Sequence, residues 1–120
     1  MYERPSLYLA RTIQKSLMTE PVVIRRRRQT RNRRGRIEET FTDLATKCST
    51  EPLNRTDARI AALEVGGTRL LEPREFFTIE RIEVNNRDEF LWNEKRYIAV
   101  ETSDFGEYSE TIAHRIEGQE

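Results

Sequence analysis

The sequence predicts a mainly β protein: a small antiparallel β-barrel or sandwich with a protruding Arg-rich β-hairpin and an N-terminal arm or short helix. Three observations predict it. Runs of β-branched and aromatic residues recur through the second half, at Phe76 to Ile82, Glu89 to Trp92, Arg96 to Glu101 and Tyr108 to Ile116. Turn formers separate them at the spacing of about 8–12 residues seen in sandwiches and barrels. Eight arginines crowd into residues 25–36, directly after the β-branched run Val22-Val23-Ile24. Finally, 120 residues of which 36% are hydrophobic and 35% charged supply one core, small or shared with neighbours. The expected organisation is an arm or short helix over 1–21, a single barrel-like domain over 22–117 that includes the basic hairpin 25–36, and a frayed tail over 118–120.

The elements follow in chain order. Leu9, Ala10, Ile13 and Leu17 have helical spacing, and Pro5 suits the start of a helix. Pro21 ends that segment. Val22 to Arg28 reads as a strand whose far end is charged, and Gln29 to Gly35, with Asn32 and Gly35 and nothing apolar, reads as a hairpin tip or loop. From Ile37 to Cys48 the β-formers at 37, 41, 44 and 46 stay in phase only with one bulge, so two strands or one bent strand are expected. Thr56 to Leu63 carries one or two amphipathic turns before the turn Gly66-Gly67. Thr68 to Leu71 opens the β-rich half, where Asn93-Glu94 and Asp104-Phe105-Gly106 mark hairpin turns.

Several chemistries are disfavoured by composition. No run approaches the roughly 20 apolar residues that span a bilayer, and no secretory leader is recognisable, so a soluble protein without membrane contact is expected. One cysteine, Cys48, and one histidine, His114, give neither an internal disulfide nor a zinc-ligand set, so neither a metal nor a cofactor is expected. As the only nucleophile and base of their kind, Cys48 and His114 read better as a small core or interface residue and a half-buried strand residue beside Ile112 and Ile116. The adjacent carboxylates Glu38-Glu39 and Asp88-Glu89 would point to opposite faces of a strand and belong to a solvated surface. Gly66-Gly67 lacks the remaining residues of a P-loop or a dinucleotide fingerprint. No enzyme is indicated.

Charge is the most unusual feature. The formal net charge is zero, yet residues 1–36 hold 11 Lys/Arg against 2 Asp/Glu, a net +9, and residues 37–120 hold 10 against 19, a net −9. Folding within one subunit, head-to-tail contact between subunits, or nucleic-acid binding by a free basic arm could each neutralise that polarity. Arg25, Arg26, Arg27, Arg28, Arg31, Arg33, Arg34 and Arg36 are the candidate DNA- or partner-contacting residues; with no aromatic among them to stack bases, sequence-specific reading is not expected. Trp92, Tyr97, Phe105 and Tyr108 are expected to form the core of two hairpins. Phe76 and Phe77 lie on opposite faces of one strand, so one ring would be exposed and available to a subunit interface.

The stretch Phe90-Leu91-Trp92-Asn93-Glu94-Lys95-Arg96-Tyr97-Ile98-Ala99-Val100, followed by Ser103-Asp104-Phe105-Gly106-Glu107-Tyr108 and a last strand through Ile116, resembles the small neck proteins of tailed bacteriophages, the head-closure, stopper or collar connectors. Those proteins often end with an apolar-Trp-Asn-Gly-Lys-Arg-Tyr-x-Val hairpin and then an Asp-Trp-x-x-Tyr element. Upstream, Ala45 to Leu53 looks like their strand ending in a Gln-Pro pair, and Leu63 to Thr78 like their Leu-Pro-x-Gly-x-Arg stretch. The likeness spans roughly residues 36–117; Glu94 stands where Gly is usual, Phe105 where Trp is, Glu51 where Gln is and Val65 where Pro is. The resemblance implies a non-enzymatic β-barrel subunit of a virion ring of six or twelve copies, made in the host cytoplasm. Its partners would be portal and tail or neck proteins and the packaged double-stranded DNA of the channel. Heterologous ring interfaces agree with the opposed charge of the two segments. Arg31, Arg33 and Arg34 would touch phosphates or an acidic neighbour. The competing reading of the same residues is a non-specific nucleic-acid-binding module.

Overall fold

A computed structural model describes residues 18–116; of the expected arm over 1–21, residues 1–17 lie outside the described residues, as does the tail over 118–120, while Glu20 and Pro21 belong to a strand rather than to an arm. The β-branched run after Pro21 and the Thr-rich run before Pro52 pair into one long antiparallel ribbon, β1 (Glu20–Arg31) and β2 (Ile37–Pro52), in unbroken register from Glu20 opposite Cys48 to Arg31 opposite Ile37. Then come a six-residue helix α1 (Ala58–Leu63) and strands β3 (Arg74–Thr78), β4 (Glu89–Trp92), β5 (Lys95–Asp104) and β6 (Ser109–Ile116), with one 3-10 turn at Val84–Asn86 before β4. All strand pairings are antiparallel, and the order β1-β2-β3-β6-β5-β4 closes on itself as a six-stranded barrel.

Alternation along each strand fills the interior. Val22, Ile24, Cys48, Phe76, Ile82, Phe90, Tyr97, Ala99 and Ala113 form the buried cluster, with Val84 and Trp92 packed against it. Phe76 is its centre: its ring stacks on Phe90 with centroids 4.4 Å apart and meets Tyr97 and Trp92 edge-on at 5.4 and 6.4 Å. Each such buried ring contributes about 1.5–3 kcal/mol through apolar area removed from water, and favourable ring pairs add about 0.5–1.5 kcal/mol. Three threonine hydroxyls of the wall find partners within the barrel. Thr102 and Thr111 share a 2.8 Å hydrogen bond, and Thr78 Oγ1 donates to the Glu80 carbonyl at 2.8 Å. Helix α1 lies outside the barrel wall; Asp57 caps it by accepting from the Arg59 amide, and Arg59 reaches across to Glu75 on β3.

Several sequence expectations are corrected. The bulge expected near residues 37–48 is absent from the β1–β2 ladder; a register shift falls instead in β5, between Ala99 and Glu101. Ile37 and Phe41 therefore share one face of β2 while Leu44 and Thr46 share the other. The ribbon beyond Arg26 has no core beneath it, so nothing forces those residues into phase. Gln29 to Arg31 belong to the strand, leaving only residues 32–36 as the turn. Thr68 to Leu71 form no strand: Leu70 is buried and its carbonyl accepts from Arg55, which fixes a loop, and pairing begins at Arg74. Phe76 is wholly interior and so is not available to a subunit interface; Phe77 on the outer face is half-buried. Phe105 is 42% exposed and stacks on Tyr108 at 5.0 Å in the β5–β6 turn, so these two rings pair with each other outside the core that Trp92 and Tyr97 join. Asp88 and Glu89 are buried, Asp88 by accepting the Glu83 amide at 2.9 Å and Glu89 by pairing with Arg96.

Candidate partner-binding hairpin

The ribbon outgrows the barrel. β4 closes onto β1 through Val23, Ile24 and Arg25 alone, and β3 takes β2 only from Ser49 to Pro52. Past those points the outer backbone edges of both strands pair with no other described strand. The described chain measures 58 × 32 × 30 Å with a radius of gyration of 16.0 Å, against about 13 Å for a compact domain of this length. The excess length is the hairpin.

Its turn is defined by local chemistry. Asn32 Oδ1 accepts from the Arg34 and Arg36 amides at 2.9 and 3.0 Å, the Gly35 amide donates to the Asn32 carbonyl, and Gly35 has φ 76°. This is a three-residue loop closed by a left-handed glycine, and it presents Arg33 and Arg34 at the apex.

Strand alternation sorts the arginines by face, as the sequence suggests, but their partners differ. On one face Arg25 makes a bidentate pair with Asp43 at 3.0 and 3.3 Å, and Arg27 pairs with Glu39, which also accepts from Gln29. The Arg25 guanidinium is pushed above its usual value by that hydrogen bond, and the Glu39 carboxyl below its own by Arg27 and Gln29. On the other face Arg26 donates to the Arg81 carbonyl at 3.0 Å, tying the ribbon base to the barrel. Arg28, Arg31, Arg33, Arg34 and Arg36 make no ion pair or side-chain hydrogen bond with another described residue. Among the described residues the eight arginines thus divide into three that bind the ribbon to itself or to the barrel and five without an ion pair or side-chain hydrogen bond. Ile37 and Phe41, 62% and 53% exposed, lie on the same face as Arg27 and Arg31.

A groove that sequence reading did not find lies near the ribbon base. It has a volume of about 590 Å³ and is lined by Arg81 to Asn86 with Glu101, Thr102 and Asp104. Three carboxylates, Glu83, Glu101 and Asp104, face one cation, Arg81, which pairs with Asp104 at 3.4 Å. These carboxylates come from a loop and from the far end of β5, so no local motif announces them.

The two residues weighed as a catalytic pair are separate. Cys48 is buried in the barrel core, where desolvation pushes its thiol up to about 12. His114 lies opposite Ile98 on the outer face of β6, its imidazole pushed below its usual value by burial. Among the described residues no group of three or more His, Cys, Asp or Glu is placed to hold a metal ion, and no helix is long and apolar enough to cross a membrane.

Neither protein-family models nor curated proteins match this chain. Among solved structures, the barrel is similar to the solution structure of protein SF1141 from Shigella flexneri 2a, with a TM-score of 0.58 and 16% identity over 82% of this chain and 92% of that one. At that identity the likeness is one of fold.

Proposed function

We propose that the chain is a structural head-to-tail connector subunit of a tailed-phage virion, one copy in a ring that joins portal to tail around the DNA channel. The observation that carries this reading is a paired arginine ribbon standing beyond a closed barrel, with five guanidinium groups that the described part of the chain leaves unpaired. A wall domain plus a projecting adhesive arm is what a ring subunit needs in order to grip an adjoining layer. The residues that resemble the neck-protein signature also support it: Asn93 and Glu94 both have positive φ, at 52° and 62°, and form the tight β4–β5 turn of that motif. The work asked of the protein is geometric and electrostatic, and no bond is made or broken.

A second reading is favoured by the same five arginines. A free nucleic-acid-binding module would neutralise phosphates with them, and duplex binding would then weaken with salt at a log–log slope of about −4 to −5. Light scattering and DNA titration at two salt concentrations separate the readings; a stable monomer with tight duplex binding and that slope favours the second. The connector reading is tested by changing Arg31, Arg33 and Arg34 together to Ala. The expected result is a folded domain whose virions fail to join heads to tails or lose packaged DNA, and normal virion yield contradicts it.

A further inference from the structure

The chain carries its own complement to the ribbon tip. Residues 25–47 hold nine basic and three acidic side chains, a net +6, while residues 48–116 hold nine basic and fourteen acidic, a net −5. Two ribbons therefore repel each other, and a ribbon and a barrel attract. One place on the barrel where carboxylates gather is the groove bounded by Glu83, Glu101 and Asp104, with Arg81, paired to Asp104, as its one cation. Its volume of about 590 Å³ lies within the range of about 300–1,000 Å³ typical of pockets that take a ligand. Glu101 makes no ion pair or side-chain hydrogen bond with another described residue, so it is available to an incoming cation.

A tip cannot reach the groove of its own barrel. The Arg26 guanidinium is bonded to the Arg81 carbonyl at the groove's margin; the strand runs five residues further out to Arg31, about 17 Å at strand rise, and Arg33 lies beyond that in the turn. Hydrogen-bond pairing with β2 as far as Arg31 keeps the ribbon extended over that distance. The tip thus stands clear of its own barrel, at the end of a body 58 Å long and 30–32 Å across, where another copy can meet it.

We propose that the Arg33–Arg34 tip of one subunit docks in the Glu83/Glu101/Asp104 groove of a second copy of this chain. Each subunit then gives one tip and receives one, a heterologous contact that closes into a ring when the rotation between copies permits. The inference rests on the ring reading above and names its contact. Guanidinium groups meeting carboxylates make short, charge-assisted hydrogen bonds, and the contact weakens as salt screens it.

Sedimentation equilibrium of the full chain at low and high salt, up to about 1 mM, tests the contact. Self-association is expected at low salt, with the association constant reduced at least about tenfold by R33E/R34E and likewise by E83R/E101R, each variant keeping the wild-type melting temperature. Equimolar mixing of the two variants, or all four changes in one chain, restores association, because every reversed tip then meets a reversed groove. A chain that stays monomeric at about 1 mM and low salt overturns the proposal. So does R33E/R34E that associates like the wild type, or that loses only duplex DNA binding, which would assign the tip to nucleic acid. Failure of this contact leaves the connector reading to be judged on virions, where the ring could be held by other surfaces.

Discussion

At the scale of single residues, the barrel records where chemistry and geometry disagree. Glu94 occupies a left-handed position at φ 62° in the β4–β5 turn, where its Cβ is strained and glycine is not. Glu94→Gly should therefore stabilise the domain by about 1 kcal/mol in urea unfolding. Phe76, wholly buried and ringed by Phe90, Tyr97 and Trp92, should cost about 3–5 kcal/mol when cut to Ala, measured the same way. Because burial holds the Cys48 thiol near 12, alkylation at about pH 8 should run at least about a hundredfold slower than for an exposed thiol until the protein unfolds. His114 is depressed below 6.5 in the folded chain and has a buried Nδ1 without a partner. The unfolded chain thus takes up the proton first: this contribution to stability is intact above about pH 6.5 and falls as the pH drops below it. Asp88 and Glu110, raised by burial, act in the opposite sense at lower pH. Unfolding of His114→Gln against wild type at about pH 7 and about pH 5 isolates the histidine, and the variant should lose less stability on acidification.

At the scale of elements, the ribbon and the barrel answer to different rules, and that decides how much of each the sequence betrays. Asn93-Glu94 and Asp104-Phe105-Gly106 are legible as turns because the residues themselves set the backbone, and β4, β5 and β6 follow from the runs between them. Gly67 as a turn at φ 87° is local in the same way. The misplaced bulge and the false strand at Thr68 to Leu71 have the opposite origin. Phase along β2 was inferred from a core that the outer ribbon never touches, and Leu70 is buried through a long-range bond from Arg55. Asp88-Glu89 reads as surface because nothing nearby announces that the Glu83 amide and Arg96 will satisfy both carboxylates. The arginine site was visible as a cluster, but its split into three paired and five unpaired members depends on Asp43, Glu39 and Arg81, which only the register brings near. Since the five free arginines stabilise nothing within the described chain, R31A/R33A/R34A should shift stability by no more than about 0.5 kcal/mol in urea unfolding. The distinct expectation for Arg25→Ala is a loss of about 1 kcal/mol, because it strands Asp43 at the ribbon base.

At the scale of the whole molecule, a chain of zero net charge is built from a positive ribbon and a negative barrel that, among the described residues, neutralise each other only in part. Ion pairs among the described residues bind the ribbon base and the outer wall, as at Arg25–Asp43, Arg59–Glu75 and Arg96–Glu89, and none of them reaches Arg33 or Arg34 at the apex. On the proposed connector reading that charge is met by other bodies, and the closed barrel is the base from which the arm is presented. Assembly and screening are thereby linked, so any complex held by the ribbon should loosen as salt rises from about 50 to about 500 mM. The connector reading is tested most directly by a particle reconstruction of the virions made with this chain. The predicted density is a ring of barrels at the junction of head and tail, each extending its ribbon to an adjoining layer, a neighbouring copy or the channel DNA. Virions whose junction is complete without this chain would contradict it.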